Sequence, residues 1–199
     1  MNRSGNRITD DFGRTLILRG VNLGGSSKIP FSKEPPLSFV GRPFPLENAD
    51  EHFSKLRGWG FNFIRFVITW EALEHSGPDI YDEAYLDYLS KILLIAEKHG
   101  ISVLMDPHQD VWSRFTGGDG APAWTLEKLG MDIDKLYASG AAKSSGNKKM
   151  IWPVNYSLYA AATMFTIFFA GNTFAPSIKI DGESAQDFLQ NRYIAAFKY

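Results

Sequence analysis

A strand, helix and strand pattern in the middle of the chain constrains most strongly what it can fold into. Residues 62–69 and 101–106 form almost uninterrupted apolar runs. Such runs are typical of strands that are buried on both faces, as in a parallel sheet. Between them, residues 82–99 carry apolar side chains at helical spacing on one broad face, and Gly100 is suited to end that helix. The alternation predicts a parallel α/β fold with right-handed crossover connections.

The segments on either side add further elements to this unit. Pro107 is expected to end the regular pairing of the second strand. Before the central unit, the patterns predict a hairpin over 8–18 that turns at 10–13, a first strand at 19–25, a proline-rich ordered loop over 26–47 and a short helix through Arg57. After it, they predict a Gly/Ser/Lys surface segment over 140–149, an apolar helix over 157–170 and an amphipathic helix over 184–197.

Charge and composition argue against several classes of partner. Lys and Arg number 21 against 22 Asp and Glu, so no basic surface for nucleic acid is predicted. Cysteine is absent, and disulfides therefore cannot hold the fold. The apolar run at 157–170 is shorter than the roughly 20 residues that span a bilayer, which favours a buried helix over a membrane-facing one. We expect no stable membrane insertion, and at most transient contact with a membrane surface.

The first residues show no secretory signal, because two basic side chains in 1–7 are not followed by an apolar segment. We therefore expect an intracellular protein, in the cytoplasm or alternatively in the vacuole.

Arg65 is the first candidate functional residue, because it interrupts an otherwise apolar strand. A charge in such a strand needs a carboxylate partner, since an unpaired buried charge is very costly. Two interpretations stay open. Arg65 forms a structural ion pair, for which Asp106 on the neighbouring strand is a candidate, or it holds a catalytic carboxylate ionised and in place.

His108 and Asp110 follow the strand at 101–106, at the carboxyl end where parallel α/β barrels place their active sites. The alternative for His108 is an ordinary loop histidine with satisfied hydrogen bonds. None of the four histidines has metal-ligand spacing to another, so neither a metal nor another cofactor is predicted.

Aromatic and acidic residues near the strand ends leave two further questions open. Trp70, Trp112 and Trp124 could stack on the apolar face of a sugar or simply pack in the core. Glu71 and Glu74 are three residues apart in sequence, whereas a retaining glycosidase pair flanks the scissile bond from opposite sides at about 5–5.5 Å. We therefore interpret these two glutamates as helix-start or loop carboxylates.

Several motifs, in this order and spacing, carry a specific resemblance. They are Arg-Gly-Val-Asn-Leu-Gly-Gly-Ser-Ser-Lys at 19–28, the Phe-Ile-Arg-Phe strand at 63–66, Asp-Pro-His-Gln-Asp at 106–110, Gly-Asp-Gly-Ala-Pro-Ala-Trp at 118–124 and Trp-Pro-Val-Asn-Tyr at 152–156. Together they resemble glycoside hydrolase family five, in its fungal branch related to endoglycoceramidases. That branch includes glucocerebrosidase-like and steryl-β-glucosidase-like enzymes.

This resemblance implies a (β/α)8 TIM barrel that hydrolyses β-glycosides with retention. Such barrels usually need about 250 residues. We therefore expect residues 1–199 to be the N-terminal portion of a single catalytic domain. This α/β portion would hold about three βα units, an N-terminal hairpin and long loops, and the barrel would be incomplete.

The resemblance also implies roles for individual residues. Arg65 matches an arginine that supports the nucleophilic glutamate, and His108 matches a histidine of the glycone subsite. Lys28 and Asp110 match positions that hold sugar hydroxyls, and Trp124 matches an aromatic wall. The family's Asn-Glu-Pro motif is missing from the chain. Both catalytic glutamates are therefore expected beyond Tyr199, and the chain alone is expected to be inactive.

The function expected from this resemblance is that of a retaining β-glucosidase acting on a glycolipid, either glucosylceramide or a steryl β-glucoside. Two alternatives stay open. One is a partial barrel that binds sugar without catalysis, and the other is a β-glycanase of the same superfamily that acts on polysaccharides.

Overall fold

A three-stranded parallel sheet with helices packed beside it forms the centre of the structure. The structure is a computed structural model that describes residues 2–32, 35–143 and 152–199. Its strands are β1 (Asn2–Ser4), β2 (Arg7–Thr9), β3 (Gly20–Leu23), β4 (Phe63–Thr69), β5 (Ser102–His108), β6 (Lys179–Ile180) and β7 (Glu183–Ser184). Its α-helices are α1 (Ala49–Gly58), α2 (Trp70–Glu74), α3 (Glu83–Lys98), α4 (Trp124–Glu127), α5 (Trp152–Asn155), α6 (Tyr159–Phe174) and α7 (Ala185–Ala196). Short 3₁₀ helices cover Leu46–Asn48, Arg114–Thr116 and Ile133–Lys135.

The central sheet has the order β3, β4, β5 with all strands parallel, which confirms the predicted parallel α/β fold. In the described residues it is an open sheet and not a closed barrel. Pro107 does not end the pairing of β5 as expected, because Pro107 still faces Ile68 and the ladder continues to His108. The strand tolerates this proline because, within the described part, β5 lies at the edge of the sheet.

The amino-terminal hairpin is displaced from its predicted position. β1 and β2 pair antiparallel around Gly5, whereas residues 8–18 keep only a bridge between Thr9 and Thr15. The Asp10 carboxylate closes the second turn by accepting the backbone N–H groups of Phe12 and Arg14. The residues after this bridge connect to β3, so the second strand of the predicted hairpin does not form.

The crossover between β4 and β5 follows the sequence pattern closely. α3 begins after Asp82, whose side chain accepts the N–H of Tyr85 at 2.9 Å. Tyr85, Tyr88, Leu89, Ile92 and Ala96 form its buried face. Gly100 ends the connection with a positive φ of 64°. This left-handed conformation, which glycine adopts without strain, turns the chain into β5.

The apolar helix α6 packs on α7 but is only partly buried. Ala160, Ala161, Met164, Ile167 and Gly171 are buried, and the backbone of α6 kinks at Ala170. Other aromatic side chains of α6 stay exposed, among them Tyr159, Phe169 and Phe174. Among the described residues no helix is both long and apolar enough to cross a membrane. Most of the predicted surface segment at 140–149 lies outside the described residues.

Candidate active site

Charged side chains gather at the carboxyl ends of the parallel strands. Arg65 comes from β4, Asp106 and His108 come from β5, and Lys28 and Asp110 come from the loops that follow β3 and β5. Parallel strands end at the same edge of a sheet, so residues that are far apart in sequence become neighbours there. Together with Asp119, these residues are called the strand-end cluster below.

Arg65 is paired across the sheet, as an arginine inside an apolar strand requires. Its Nη2 atom lies 2.6 Å from Asp106 Oδ2 and 3.4 Å from His108 Nδ1. In the ladder Arg65 faces Leu104, so Asp106 is the diagonal neighbour on the same face. The expected ion pair with Asp106 is therefore present. About a third of the Arg65 side chain is exposed, which leaves part of its guanidinium accessible. The role of Arg65 toward a catalytic carboxylate stays a prediction.

The imidazole of His108 connects the two halves of the strand-end cluster. Nδ1 lies 3.2 Å from Asp106 Oδ2, and Nε2 lies 3.3 Å from Asp110 Oδ2. Asp119 Oδ1 is 3.7 Å from the same Nε2 atom. Because both ring nitrogens face carboxylate oxygens, the orientation of the His108 imidazole is fixed.

Lys28 reaches the cluster from the loop after β3. Its ammonium Nζ lies 2.6 Å from Asp110 Oδ2 and 3.4 Å from Asp119 Oδ2. Partial burial works to raise the pKa of Asp110, but the hydrogen bond and the charge of Lys28 outweigh it and hold that pKa below its usual value. Asp110 is therefore an ionised hydrogen-bond acceptor at neutral pH.

Asp119 is the member of the cluster that reasoning from the sequence missed. Its side chain is fully buried, and backbone hydrogen bonds in both directions tie it to Asp110. Burial raises the pKa of Asp119 to about 7, with a further rise from Asp110 and an opposing effect of the Lys28 ammonium. The available signal was a carboxylate between two glycines, Gly118 and Gly120, inside one of the motifs that carry the resemblance.

The strand-end cluster offers a dense set of donors and acceptors on a single face. Ligand atoms of His108, Asp110 and Asp119 all lie within 4.8 Å of one another, a spacing that suits a cation. The ammonium of Lys28 lies beside the same carboxylates and supplies that positive charge. The arrangement is chemically suited to a ligand with several hydroxyl groups, each of which both donates and accepts hydrogen bonds.

Trp124 does not belong to this cluster, which corrects its assignment as an aromatic wall. Its side chain is buried, and Nε1 donates to the backbone oxygen of Glu74 at 2.7 Å. The ring packs edge-on against Trp70 and Phe188, at centroid distances of 5.2 and 6.4 Å. A ring packed in this way presents no free face for a sugar. Trp112 is likewise buried against Trp70, so core packing is the outcome for these tryptophans.

Glu71 and Glu74 lie in the short helix α2, in agreement with their interpretation as helix-start carboxylates. Glu71 accepts a hydrogen bond from Arg114 Nε at 2.8 Å, and Glu74 accepts one from Trp70 Nε1 at 2.5 Å. Both side chains are buried, and this burial raises the pKa of each. Their contacts are therefore structural, and they anchor the loops around the sheet edge.

Comparison with known proteins gives a consistent result. A family model described as cellulase (glycosyl hydrolase family 5) matches residues 16–152. A Rhizopus delemar protein named glucosylceramidase is 44% identical over 98% of this chain and 32% of its own length. A Saccharomyces cerevisiae protein named ergosteryl-beta-glucosidase is 39% identical over 94% of this chain and 29% of its own length.

A solved structure extends this similarity to three dimensions. Cryptococcus neoformans sterylglucosidase 1 superposes with a TM-score of 0.89 at 44% identity, covering 96% of this chain and 30% of that one. The chain thus spans about a third of the length of the curated relatives that it matches.

Proposed function

Because the chain belongs to glycosyl hydrolase family 5, we propose that the protein is a retaining β-glucosidase that acts on glycolipids. The names of the relatives, glucosylceramidase and ergosteryl-beta-glucosidase, support a glucoside with a lipid aglycone. The observation that carries the proposal is the convergence of Lys28, His108 and Asp110 at one edge of a parallel sheet. In α/β barrels that edge is where substrates bind.

Within this proposal the strand-end cluster binds the glucose ring. Lys28 donates to a sugar hydroxyl, and ionised Asp110 accepts from one, as charged groups make the stronger hydrogen bonds. His108 borders the same space with a ring that two carboxylates orient. These contacts hold the glycone in one position relative to the reacting bond, which contributes to rate through orientation.

Arg65 has a separate proposed role beneath the glycone. Both of its contacts, to Asp106 and His108, use Nη2. The remaining N–H groups of the guanidinium fork suit a second carboxylate, and the resemblance makes this the nucleophilic glutamate. Retention requires that nucleophile and a general acid about 5–5.5 Å apart. Glu71 and Glu74 are committed to structural contacts, so we propose that neither of them supplies the pair.

The test is an assay of the complete natural polypeptide that contains these 199 residues, with glucosylceramide, a steryl β-glucoside and a cello-oligosaccharide. We expect hydrolysis of at least one glycolipid, with the β-anomer of glucose appearing first by NMR. The 199-residue chain assayed alone is expected to show no turnover above a heat-killed control. Activity confined to the cello-oligosaccharide would favour the polysaccharide-directed alternative. Sugar binding without any hydrolysis would favour the non-catalytic module.

We also propose transient contact with a membrane surface, since a ceramide or sterol aglycone resides in a membrane. The exposed rings of Phe169 and Phe174 on α6 support this, because exposed apolar side chains of a helix, Phe among them, insert into the boundary of a membrane. Flotation with glycolipid vesicles should be weakened by Phe169→Ser and Phe174→Ser together. Trp59→Ser, which removes an exposed ring directly after α1, is the matched control and should leave flotation unchanged. Equal flotation of all proteins would contradict this role of α6.

A further inference from the structure

Asp119 has an unusual environment for a carboxyl group that forms no catalytic pair. It is completely buried, yet neither of its oxygens forms a hydrogen bond with good geometry. The Lys28 ammonium lies 3.4 Å from one of these oxygens and the His108 imidazole 3.7 Å from the other, and Asp110 interacts with both of these groups. A buried and unsatisfied carboxyl group costs stability, so its position calls for a role in the site toward which it points.

The loop that carries Asp119 is held rigidly at that position. The backbone of Asp119 exchanges two hydrogen bonds with Asp110, at 2.9 and 3.0 Å. The next residue, Gly120, accepts the N–H of Glu71 at 2.7 Å. A Cβ atom on Gly118 would lie only 1.8 Å from the Asp110 carbonyl oxygen, so the loop runs too close to the segment after β5 for a side chain at position 118. The carboxyl group of Asp119 therefore has little freedom to turn away from Lys28.

The number of donors on the Lys28 ammonium connects this geometry to substrate binding. An ammonium group carries three N–H donors in a tetrahedral arrangement. One of these donates to Asp110 Oδ2 at 2.6 Å, and the Asp119 carboxyl group lies 3.4 Å from the same nitrogen without a hydrogen bond of good geometry. Two carboxyl groups on the same side restrict the movement of the ammonium, which leaves its other N–H groups available to a ligand. A lysine with a single carboxylate partner would rotate its remaining donors freely.

We propose that Asp119 is a positioning residue that holds the Lys28 ammonium against Asp110, so that a free N–H group of the ammonium is directed at one hydroxyl of the glycone. This inference rests on the proposed glucosidase function and extends it to a residue that does not itself touch the sugar. Asp119 would therefore determine how strongly one particular hydroxyl is recognised.

The experiment compares Asp119→Asn with the wild type, in the complete natural polypeptide, on a panel of deoxygenated 4-nitrophenyl β-glucosides. Asp119→Asn should lower kcat/KM on the intact glucoside by about 10- to 100-fold, as small misplacements at a site do. On the deoxy-glucoside that lacks the hydroxyl held by Lys28, the same substitution should cost almost nothing. Such non-additivity is the signature of two groups that act together.

Two matched controls separate positioning from general damage. Glu71→Gln weakens the anchor of the same loop through Arg114, and its effect should be equal on every sugar of the panel. Asp87→Asn removes an exposed acid that pairs with Lys91 and should change nothing. An Asp119→Asn penalty that is equal on all the glucosides would overturn the inference and leave Asp119 a structural residue.

A crystal structure of Asp119→Asn provides a readout that does not depend on activity. The distance from Lys28 Nζ to Asp110 Oδ2 should increase beyond hydrogen-bond range, or the ammonium should lose its defined position. If the wild type hydrolyses no glucoside, the proposed function is wrong, and an unmoved Lys28 in the variant would then show that the positioning role is wrong as well. A displaced Lys28 would support positioning even in that case.

Discussion

At the scale of single residues, the charged side chains of the sheet edge are arranged in one alternating series. Arg65 contacts Asp106, Asp106 contacts His108, and His108 contacts Asp110, which in turn contacts Lys28. Each carboxylate of the series is adjacent to a cation or to an imidazole nitrogen, and these contacts allow polar groups to lie beside the apolar strands. A substitution in the series therefore changes the orientation of its neighbours as well as its own contact.

Arg65→Lys should separate orientation from charge. Lysine keeps the positive charge but loses the planar fork that fixes carboxylates from two directions. We expect the catalytic rate of the complete natural polypeptide to fall by about tenfold or more, with a melting temperature close to that of the wild type. Arg192→Lys is the control, because Arg192 forms an exposed pair with Asp79 at 2.9 Å. An unchanged rate, or a rate loss fully explained by unfolding, would leave Arg65 as a structural ion pair only.

Asp119→Asn should change how stability depends on pH. Burial raises the pKa of Asp119 to about 7 in the folded protein, from 3.8. Between these values the folded state keeps a proton that the unfolded state has released, so the contribution of Asp119 is lost as pH rises toward 7. The variant should therefore be more stable than the wild type at pH 8, by at least about 1 kcal/mol.

Thermal melting of both proteins from pH 5 to pH 8 measures this difference. The gap in melting temperature should widen in favour of Asp119→Asn as pH rises and then level off above pH 7. Asp87→Asn serves as the surface control and should track the wild type throughout. Parallel curves for Asp119→Asn and the wild type would mean that Asp119 is ionised in the folded protein across this range.

At the scale of elements, the loop after β5 is as important as the strands. It brings Asp119 back beside Asp110 by a close backbone approach that only glycine permits at position 118. The loop is also anchored from α2, through the backbone N–H of Glu71 and the ion pair of Glu71 with Arg114. The candidate site lies at the carboxyl ends of the strands, and this loop borders it on one side.

Gly118→Ala should disturb that loop specifically. The added methyl group would meet the carbonyl of Asp110 at 1.8 Å, so either Gly118 or the segment directly after β5 must move. We expect a fall of several degrees in melting temperature, together with a loss of glucoside affinity. Gly58→Ala at the end of α1 has open space around its Cβ position and should be neutral or slightly stabilising. A Gly118→Ala protein with unchanged affinity would show that the close approach is not needed for the site.

At the scale of the whole molecule, the sheet is open on both sides. In the described part of the chain, β3 and β5 each have one unpaired edge. Large apolar side chains are exposed near them, including Ile17 before β3 and Leu104 in β5. Unpaired edges next to apolar surface are sites at which chains associate.

The 199-residue chain expressed alone should therefore associate. We expect oligomers or aggregates in size-exclusion chromatography, and broad thermal unfolding without a cooperative transition. The comparison sample is the complete natural polypeptide, purified in the same buffer. A sharp monomer peak with cooperative melting of the chain alone would show that these residues fold independently, and would strengthen the alternative of a sugar-binding module.

The sequence by itself determined the central sheet and most of the site. The apolar runs of β4 and β5 and the amphipathic face of α3 are local patterns that predict a parallel sheet. β4 is largely buried as expected, whereas β5 is only partly buried and Leu104 is half exposed, because β5 lies at the edge of the sheet in the described residues. The strand ends then bring Arg65, His108 and Asp110 to one edge. Lys28 was inferred from the resemblance, and the structure places it in the same cluster.

Only the tertiary structure decided which loop residues join that cluster. Trp124 and Asp119 lie five residues apart on the same connection, yet one packs against Trp70 and Phe188 while the other points to Lys28. No local pattern distinguishes them, because their environments are formed by segments distant in sequence. The position of the first hairpin was missed for the same reason. Periodicity reports which faces are apolar, whereas the contacts of a loop depend on how the complete set of elements closes around it.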